Sequence, residues 1–273
     1  MIDTPLMRHW LRRLAFILSL LVLSTSAATA QQPFVTDDTD TTPRYHYHFA
    51  FGNEFDLLPR SDFPSIRQNE AGFEFEYGLF NRLELGIDAP LLTIFNAPGT
   101  IPLRPSGIGD TNFSVKYNFL KEHKNSRMPA MALVFNLELP TGDTNRQLGS
   151  GLADFYVNGV LQKTLTEKTT FRLNGGILFS GNETTGVEGI KTRGTVFTGS
   201  GSFVKQFSPK LQLGIELSGA LEKNFELGKG QLQTMVGGNY QFRKNASLDF
   251  GLVAGKFVAS PRFGAKLGIS IDW

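Results

Sequence analysis

Short stretches of alternating apolar and polar residues recur along most of the chain. In GFEFEYG (72–78), Phe73, Phe75 and Tyr77 alternate with two glutamates, and FGAKLGISIDW (263–273) alternates large apolar residues with small or polar ones. A period of two indicates a β-strand, because successive side chains point to opposite faces. Residues 44–273 contain about twelve such stretches, and no segment of 44–273 has a pattern typical of a helix.

The connections between these stretches alternate in length. Short ones, such as TEKT, SPK and RKNA, follow every second strand, whereas long ones at 52–69 and 90–106 lie between them. Transmembrane β-barrels have short turns on one side and long loops on the other, and their tilted strands cross a bilayer in about 9–11 residues. The pattern predicts an all-β, antiparallel, up-and-down transmembrane barrel of twelve strands over 44–273, with ten or fourteen strands as alternatives.

The first thirty residues have another character. Four basic or histidine side chains precede the apolar run LAFILSLLVL, and Ala28-Thr29-Ala30 follows it as a small-x-small cleavage site. This order predicts a signal peptide at 1–30. Residues 31–43, which include the acidic run DDTD, are then expected to form a solvated periplasmic tail. Together with the barrel, the leader predicts insertion into the bacterial outer membrane.

Composition and charge add exclusions. The chain has no cysteine, and its net charge of +2 gives no reason to expect nucleic acid as a partner. Motifs such as Gly-x-Ser-x-Gly and His-Glu-x-x-His are absent from the sequence, so we predict that the protein is not an enzyme and needs no cofactor. The expected partners are outer-membrane lipid and a small-molecule solute.

The polar face of the predicted strands should line the barrel lumen. The candidate lumen-lining residues are Arg44, His46, His48, Glu74, Glu76, Glu84, Asp88, Lys116, Glu138, Arg172 and Glu216. Acids outnumber bases on this face, which indicates either a cation-tolerant interior or a wall braced by cross-strand ion pairs. The spacing of His46 and His48 would allow a metal, but we interpret both as polar lumen groups and predict no metal site.

The second long connection is unusually apolar. Its large apolar residues are Leu91, Leu92, Ile94, Phe95, Ile101 and Leu103. Such a segment is too apolar for a freely solvated loop. It is expected to fold over the mouth as a constriction, or to form an entrance for an apolar solute.

Two motifs carry a resemblance to a known family. GIGDTNFSVKYNFL (107–120) and LELPTGD with LGSGLADFYV (137–157) resemble the bacterial outer-membrane transporters of the meta-cleavage phenol-degradation pathway type. The resemblance implies a barrel for passive uptake of small molecules, hydrophobic or aromatic compounds among them. The final strand ending at Trp273 resembles the signal read by the barrel-assembly machinery. The alternative function is a structural or adhesive barrel whose lumen is closed by its own ion pairs.

Overall fold

The strands and their connections are seen in a computed structural model of the chain. It describes residues 33–59, 66–97, 100–123, 127–180, 194–225 and 227–273, so the predicted signal peptide at 1–30 lies outside the described residues. Thirteen strands are present: β1 (Tyr47–Leu57), β2 (Arg67–Phe80), β3 (Leu83–Phe95), β4 (Ser106–Ile108), β5 (Thr111–Leu120), β6 (Ala130–Leu139), β7 (Asp154–Thr166), β8 (Thr169–Ser180), β9 (Gly194–Ser208), β10 (Leu211–Glu222), β11 (Gln231–Arg243), β12 (Ala246–Gly255) and β13 (Phe263–Asp272).

These strands close into an antiparallel barrel. Each strand pairs with its neighbours in sequence, and β1 pairs with both β2 and β13. The short β4 and the longer β5 pair with successive parts of β3, separated by Gly109 and Asp110, so together they occupy one strand position. The prediction of a twelve-stranded barrel is confirmed. Closure leaves no unpaired edge, which is what makes a β-sheet compatible with lipid.

The two faces of the barrel wall differ as the alternation predicts. Apolar side chains on the outer face are widely exposed, and Phe73, Ile215 and Leu217 are 43%, 49% and 54% exposed. Polar side chains of the same strands are buried inside, with Glu216 at 1% and Ser218 at 7%. An outer band of large apolar residues is the surface that a bilayer requires. The described residues contain no helix that is long and apolar enough to span a membrane.

The two ends of the barrel also differ. Two-residue connections at 81–82, 167–168, 209–210 and 244–245 lie at one end, with 121–129 as a longer exception. We call this the short-turn end, and the opposite end, with connections such as 140–153, the long-loop end. The last strand is anchored at the short-turn end, where Tyr47 and Trp273 exchange two backbone hydrogen bonds and stack their rings 5.8 Å apart.

The predicted loop at 90–106 begins as strand, over 90–95, which corrects that expectation for its first part. β3 continues to Phe95, so Leu91 and Phe95 lie on the outer face, while Leu92 and Ile94 are buried inside. The alternation of this run simply continues beyond Pro90. Only Ile101 and Leu103 remain in the connection, where they are 95% and 65% exposed.

Candidate functional site

The segment that precedes the barrel lies inside it. Residues 33–42 contact lumen-facing side chains of β3, β5, β8 and β10, so the expectation of a solvated periplasmic tail is wrong for the described part, residues 33–43. We call residues 33–42 the inner segment. It enters the lumen at the short-turn end, where Tyr45 donates a backbone hydrogen bond to Gly78. Its other described end, at Pro33, approaches the middle of β11 and β12 at Gly237 and Gly251.

Ion pairs from two strands hold the acidic part of the inner segment. Lys116 Nζ on β5 lies 2.9 Å from Asp37 Oδ1, 4.0 Å from Asp38 Oδ1 and 3.5 Å from Glu84 Oε1. Arg172 on β8 lies 3.2 Å from Asp38. A buried charge is costly unless it is paired, so each wall base and its segment acid make the other's burial tolerable. The ion pairs therefore connect the inner segment to both β5 and β8.

Wall side chains also satisfy the backbone of the inner segment. Glu216 accepts hydrogen bonds from the amides of Val35 and Thr36, and Glu84 accepts one from the amide of Thr42. These bonds matter because an extended segment without a strand partner would otherwise leave its N–H groups unsatisfied in a confined space. Glu216 and Glu84 therefore act as acceptors for the segment, in addition to carrying charge.

An aromatic contact holds the far end of the inner segment. Phe34 is 9% exposed and packs in a buried cluster with Val204, Met235 and Val253. A side chain at Gly214 would meet the Phe34 ring, since a Cβ there would lie 2.9 Å from its Cζ. The small residue on β10 therefore makes room for the ring, and the segment is held by apolar contact as well as by charge.

The structure places nine of the eleven predicted lumen residues on the inner wall or against the inner segment. His48 Nδ1 lies 2.6 Å from Asp272, and Glu76 accepts a hydrogen bond from the Thr42 hydroxyl. Glu74, Asp88 and Glu138 line cavities, and Glu84, Lys116, Arg172 and Glu216 contact the inner segment.

The two remaining residues lie elsewhere, and the prediction that they line the lumen is corrected. Arg44 precedes β1, is exposed, and stacks its guanidinium 4.4 Å from the ring of Tyr45. His46 also precedes β1, and its Nδ1 lies 3.0 Å from the carbonyl of Arg44. The alternation fails here because the chain turns at Tyr45, which has a φ of 65°, instead of continuing as a strand.

Two main spaces of the lumen are lined in part by the inner segment, and a further space of about 310 Å³ is lined by Glu74, Asp88 and Glu138. The acidic cavity, about 200 Å³, lies beside β1–β3, β12 and β13 and is lined by Glu54, Glu70, Glu74, Asp88, Asp249 and Lys266. The amide cavity, about 410 Å³, lies beside β6–β11 and is lined mainly by amides and hydroxyls, among them Asn136, Asn158, Thr198, Ser200 and Gln233. Both are lined by polar groups, so each suits water and small polar solutes better than an apolar tunnel would.

An apolar cluster lies inside the long-loop end. Leu92 and Ile94 of β3 pack with Leu148 from the connection 140–153, and all three are at most 1% exposed. The carboxylate of Asp110 accepts hydrogen bonds from the amides of Gly142 and Ser150, which fixes that connection over the wall. The motifs at 107–120 and 137–157 thus form one structural unit. The first supplies the acceptor carboxylate of Asp110, and the second supplies the loop whose amides donate to it.

Within the part of the chain that the structure describes, no group of three or more His, Cys, Asp or Glu side chains could hold a metal ion.

Sequence reasoning missed the inner segment, because the acids of DDTD have the same pattern in a solvated tail as in a buried ion pair. The signal available in the sequence was the predicted lumen position of Lys116 and Arg172, because a base buried in the lumen needs an acidic partner.

A closed antiparallel barrel with an apolar outer wall and a polar interior defines an outer-membrane β-barrel protein. Residues 77–273 match the protein family described as "Putative MetA-pathway of phenol degradation", and the chain belongs to that family. The match agrees with the resemblance carried by residues 107–120 and 137–157. No curated protein sequence matches the chain.

Solved structures with the same fold include channels and porins. An outer membrane channel from Pseudomonas putida F1 is 17% identical, with a TM-score of 0.70 over 88% of this chain and 100% of that one. The KdgM porin is 11% identical, with a TM-score of 0.53 over 82% and 98%. The NanC porin is 9% identical, with a TM-score of 0.54 over the same shares. At these identities the likeness establishes the fold.

Proposed function

We propose that this protein is a passive outer-membrane channel for small molecules, narrowed by its own inner segment. The observation that carries this proposal is the pair of polar cavities beside the segment, about 200 and 410 Å³ in volume. A barrel that served only as a scaffold would have no need to keep polar space on both sides of a bound segment. The segment limits passage to small solutes, while the polar lining provides hydrogen bonds along the way.

The test is electrical conductance in planar bilayers. We expect the purified protein to conduct small ions weakly, and a variant lacking residues 33–42 to conduct several-fold more because its lumen is clear. Heat-modifiable migration in SDS gels is the folding control for both proteins, because a closed barrel resists detergent until it is heated. Absence of conductance in both folded proteins would overturn the channel.

One observation favours the structural alternative, a barrel closed by its own ion pairs. Lys116 and Arg172 bind the inner segment from two strands, β5 and β8, as expected for a permanent seal. The two functions differ in whether the inner segment closes the lumen completely or only narrows it. A sealed barrel conducts only after residues 33–42 are removed, whereas a narrowed channel conducts before and after. The same bilayer experiment therefore distinguishes them.

For the solute, we propose small aromatic or hydrophobic compounds that carry a polar group, because the lining of both cavities is polar. The family description, which refers to phenol degradation, supports this class. So do Ile101 and Leu103, which are 95% and 65% exposed at the long-loop end beside the buried apolar cluster. Exposed aliphatic groups at a channel mouth would retain an apolar solute but not an ion.

Substitution of both residues tests this solute class. In intact cells, Ile101→Ser with Leu103→Ser should reduce uptake of labelled phenol, while conductance stays unchanged. Phe225→Ser with Leu227→Ser is the matched control, because these side chains are 61% and 59% exposed in another connection. Equal uptake by the two double variants would contradict an apolar entrance at 101–103.

A further inference from the structure

The outer wall carries one polar surface that the channel function does not use. It spans β1–β4 toward the long-loop end and consists of outward-facing Asn53, Asn69, Thr93 and Ser106, with Arg67 and Arg104 above them. We call it the outer polar patch. Toward the same end, the other described strands have single outward-facing threonines, namely Thr111, Thr195 and Thr234, and the middle of those strands has aliphatic, aromatic or glycine residues outward. Six polar side chains on one part of a lipid-facing wall therefore need an explanation.

The lower part of the outer polar patch is an ordered pair of amides. Asn53 donates to Asn69 Oδ1 at 3.2 Å, and Asn69 donates to Asn53 Oδ1 at 3.0 Å. Each amide also donates to a backbone carbonyl of the opposite strand, that of Glu70 or Glu54. Their donors are thus satisfied by protein, while the side-chain oxygens keep acceptor capacity toward the outside.

The middle of the outer polar patch is a pair of hydroxyls. Thr93 is the register partner of Asn69 on one side and of Ser106 on the other. The Thr93 and Ser106 hydroxyls lie 2.8 Å apart in an exposed position. Amide and hydroxyl groups therefore form a continuous row across the four strands β1–β4, able to give and accept hydrogen bonds.

Two arginines lie above this row, close to Phe95. Arg104 is 4.4 Å from the centroid of Phe95, and Arg67 is the register partner of Phe95 on β2. Phe55 packs against Phe95 edge-on, with centroids 6.0 Å apart. Within the described chain, neither arginine makes an ion pair, although both are exposed. Their charge is therefore available to an external anion.

The depth of the outer polar patch matches the outer headgroup layer. β2 begins at Arg67 and ends at Phe80 beside a short turn, so Asn69 lies close to the far end of a strand of 14 residues. About 9–11 tilted residues cross the hydrocarbon core. The arginines therefore lie just beyond the core, with the amides and hydroxyls at its boundary and aromatic rings such as Phe73 below them.

We propose that the outer polar patch binds the headgroup of a phosphorylated glycolipid of the outer leaflet. Arg67 and Arg104 would bind its phosphate, because a guanidinium forms paired, charge-assisted hydrogen bonds with phosphate oxygens. Thr93, Ser106 and the exposed amide oxygens would bind sugar hydroxyls, and the aromatic wall below would contact acyl chains. Fatty-acid solutes or free phosphate match only one part of this arrangement, whereas such a glycolipid matches all of it.

The test is native mass spectrometry of the full protein with defined lipids. The folded barrel in detergent is mixed with diphosphoryl lipid A, with lipid A lacking its phosphates, or with phosphatidylglycerol. The test variant is Arg67→Gln with Arg104→Gln. The matched control is Lys223→Gln with Lys256→Gln, which removes the same charge from exposed positions near other long-loop connections. Heat-modifiable migration verifies that every variant is folded.

We expect wild type and control to retain diphosphoryl lipid A, and the Arg67/Arg104 variant to retain at least about fivefold less, as expected for loss of charge-assisted bonds. Wild type should retain the dephosphorylated lipid and phosphatidylglycerol poorly, and millimolar inorganic phosphate should not displace the lipid. Equal retention by the two double variants would overturn the proposal. So would equal binding of phosphatidylglycerol, which would indicate a general attraction for anionic lipid, or displacement by inorganic phosphate.

Discussion

Two walls of the lumen use their charges differently. On the wall formed by β5 and β8, Lys116 and Arg172 are paired with Asp37 and Asp38 of the inner segment. On the wall formed by β1–β3 and β13, Glu54, Glu70 and Asp88 face the acidic cavity, where Lys266 is the one base in the lining. We call them the holding wall and the acidic wall.

The difference separates two properties of the channel. Charges of the holding wall are paired with the inner segment, so we expect them to determine how open the lumen is. Charges of the acidic wall face the remaining space, and we expect them to determine which ions enter it, since a confined space lined by one sign of charge concentrates counter-ions. The sequence left open whether the excess of lumen acids braces the wall or favours cations. In the structure, Lys116 and Arg172 hold the inner segment, and Glu84 on β3 also contacts it, whereas Glu54, Glu70 and Asp88 line the acidic cavity.

Loosening the inner segment should produce the largest change. Asp37→Asn with Asp38→Asn keeps the length of the segment but removes its partners for Lys116 and Arg172. Conductance in planar bilayers should rise to a level between those of wild type and the variant lacking 33–42. Asp143→Asn with Glu167→Gln, which removes two acids outside the lumen, is the control. A conductance equal to that of wild type would show that the ion pairs do not hold the segment.

The two lumen lysines should differ in their contribution to stability. Lys116→Met leaves the buried carboxylate of Glu84 and the partly exposed one of Asp37 without their buried base and should lower the free energy of unfolding by about 3 kcal/mol. Lys266→Met should cost less than about 1 kcal/mol, because its ion pair with Glu54 is 4.0 Å long and partly exposed. Urea unfolding in detergent measures both. Equal losses would remove the distinction between the walls.

Neutralising the acidic wall should change ion selectivity with little effect on total conductance. Glu70→Gln with Asp88→Asn removes two of the acids that line the acidic cavity. The reversal potential in a salt gradient should move toward anion preference. Glu167→Gln with Glu222→Gln removes the same charge at the ends of the barrel and should leave the potential unchanged. If both double variants shifted it equally, the selectivity would come from overall charge.

The smallest effect on stability is expected for the ion pair of Glu122 with Lys163, which lies outside the lumen. It provides a reference for the stability contributed by the ion pairs of the holding wall. Partial burial acts to raise the pKa of Glu122, but hydrogen bonds from Lys163 and Thr164 outweigh it and hold that pKa below its ordinary value. A depressed folded-state pKa stabilises the ionised form, so the contribution exists at neutral pH and is lost as pH falls through that pKa.

Glu122→Gln should therefore lower the free energy of unfolding by about 0.5 kcal/mol at neutral pH. The difference from wild type should disappear in acid below the depressed folded-state pKa, where the carboxyl is neutral in both folded and unfolded states. Urea unfolding at the two pH values measures this. A difference that persisted in acid would mean that the substitution acts through packing and not through charge.

The sequence determined the strands, their faces and most of the lumen wall. This was possible because lipid outside and water inside impose opposite demands on alternate residues, so that Phe73 and Glu74 reveal the two faces without any knowledge of the partners. The alternation predicted the wrong location for Arg44 and His46, because a turn replaces the strand there. It also predicted the end of a strand too early at 90–106, where Leu92 and Ile94 continue the alternation inside the barrel.

Only the tertiary structure decided the path of the inner segment and the division of charge between the two walls. Asp37 meets a base on β5, and Asp38 meets one on β8, at sequence distances that no local pattern encodes. An acid in water and an acid paired in a lumen have the same local sequence, since what separates them is whether a distant base lies within about 4 Å. The alternation could thus predict the wall, but only closure of the barrel could bring the partners of the inner segment together.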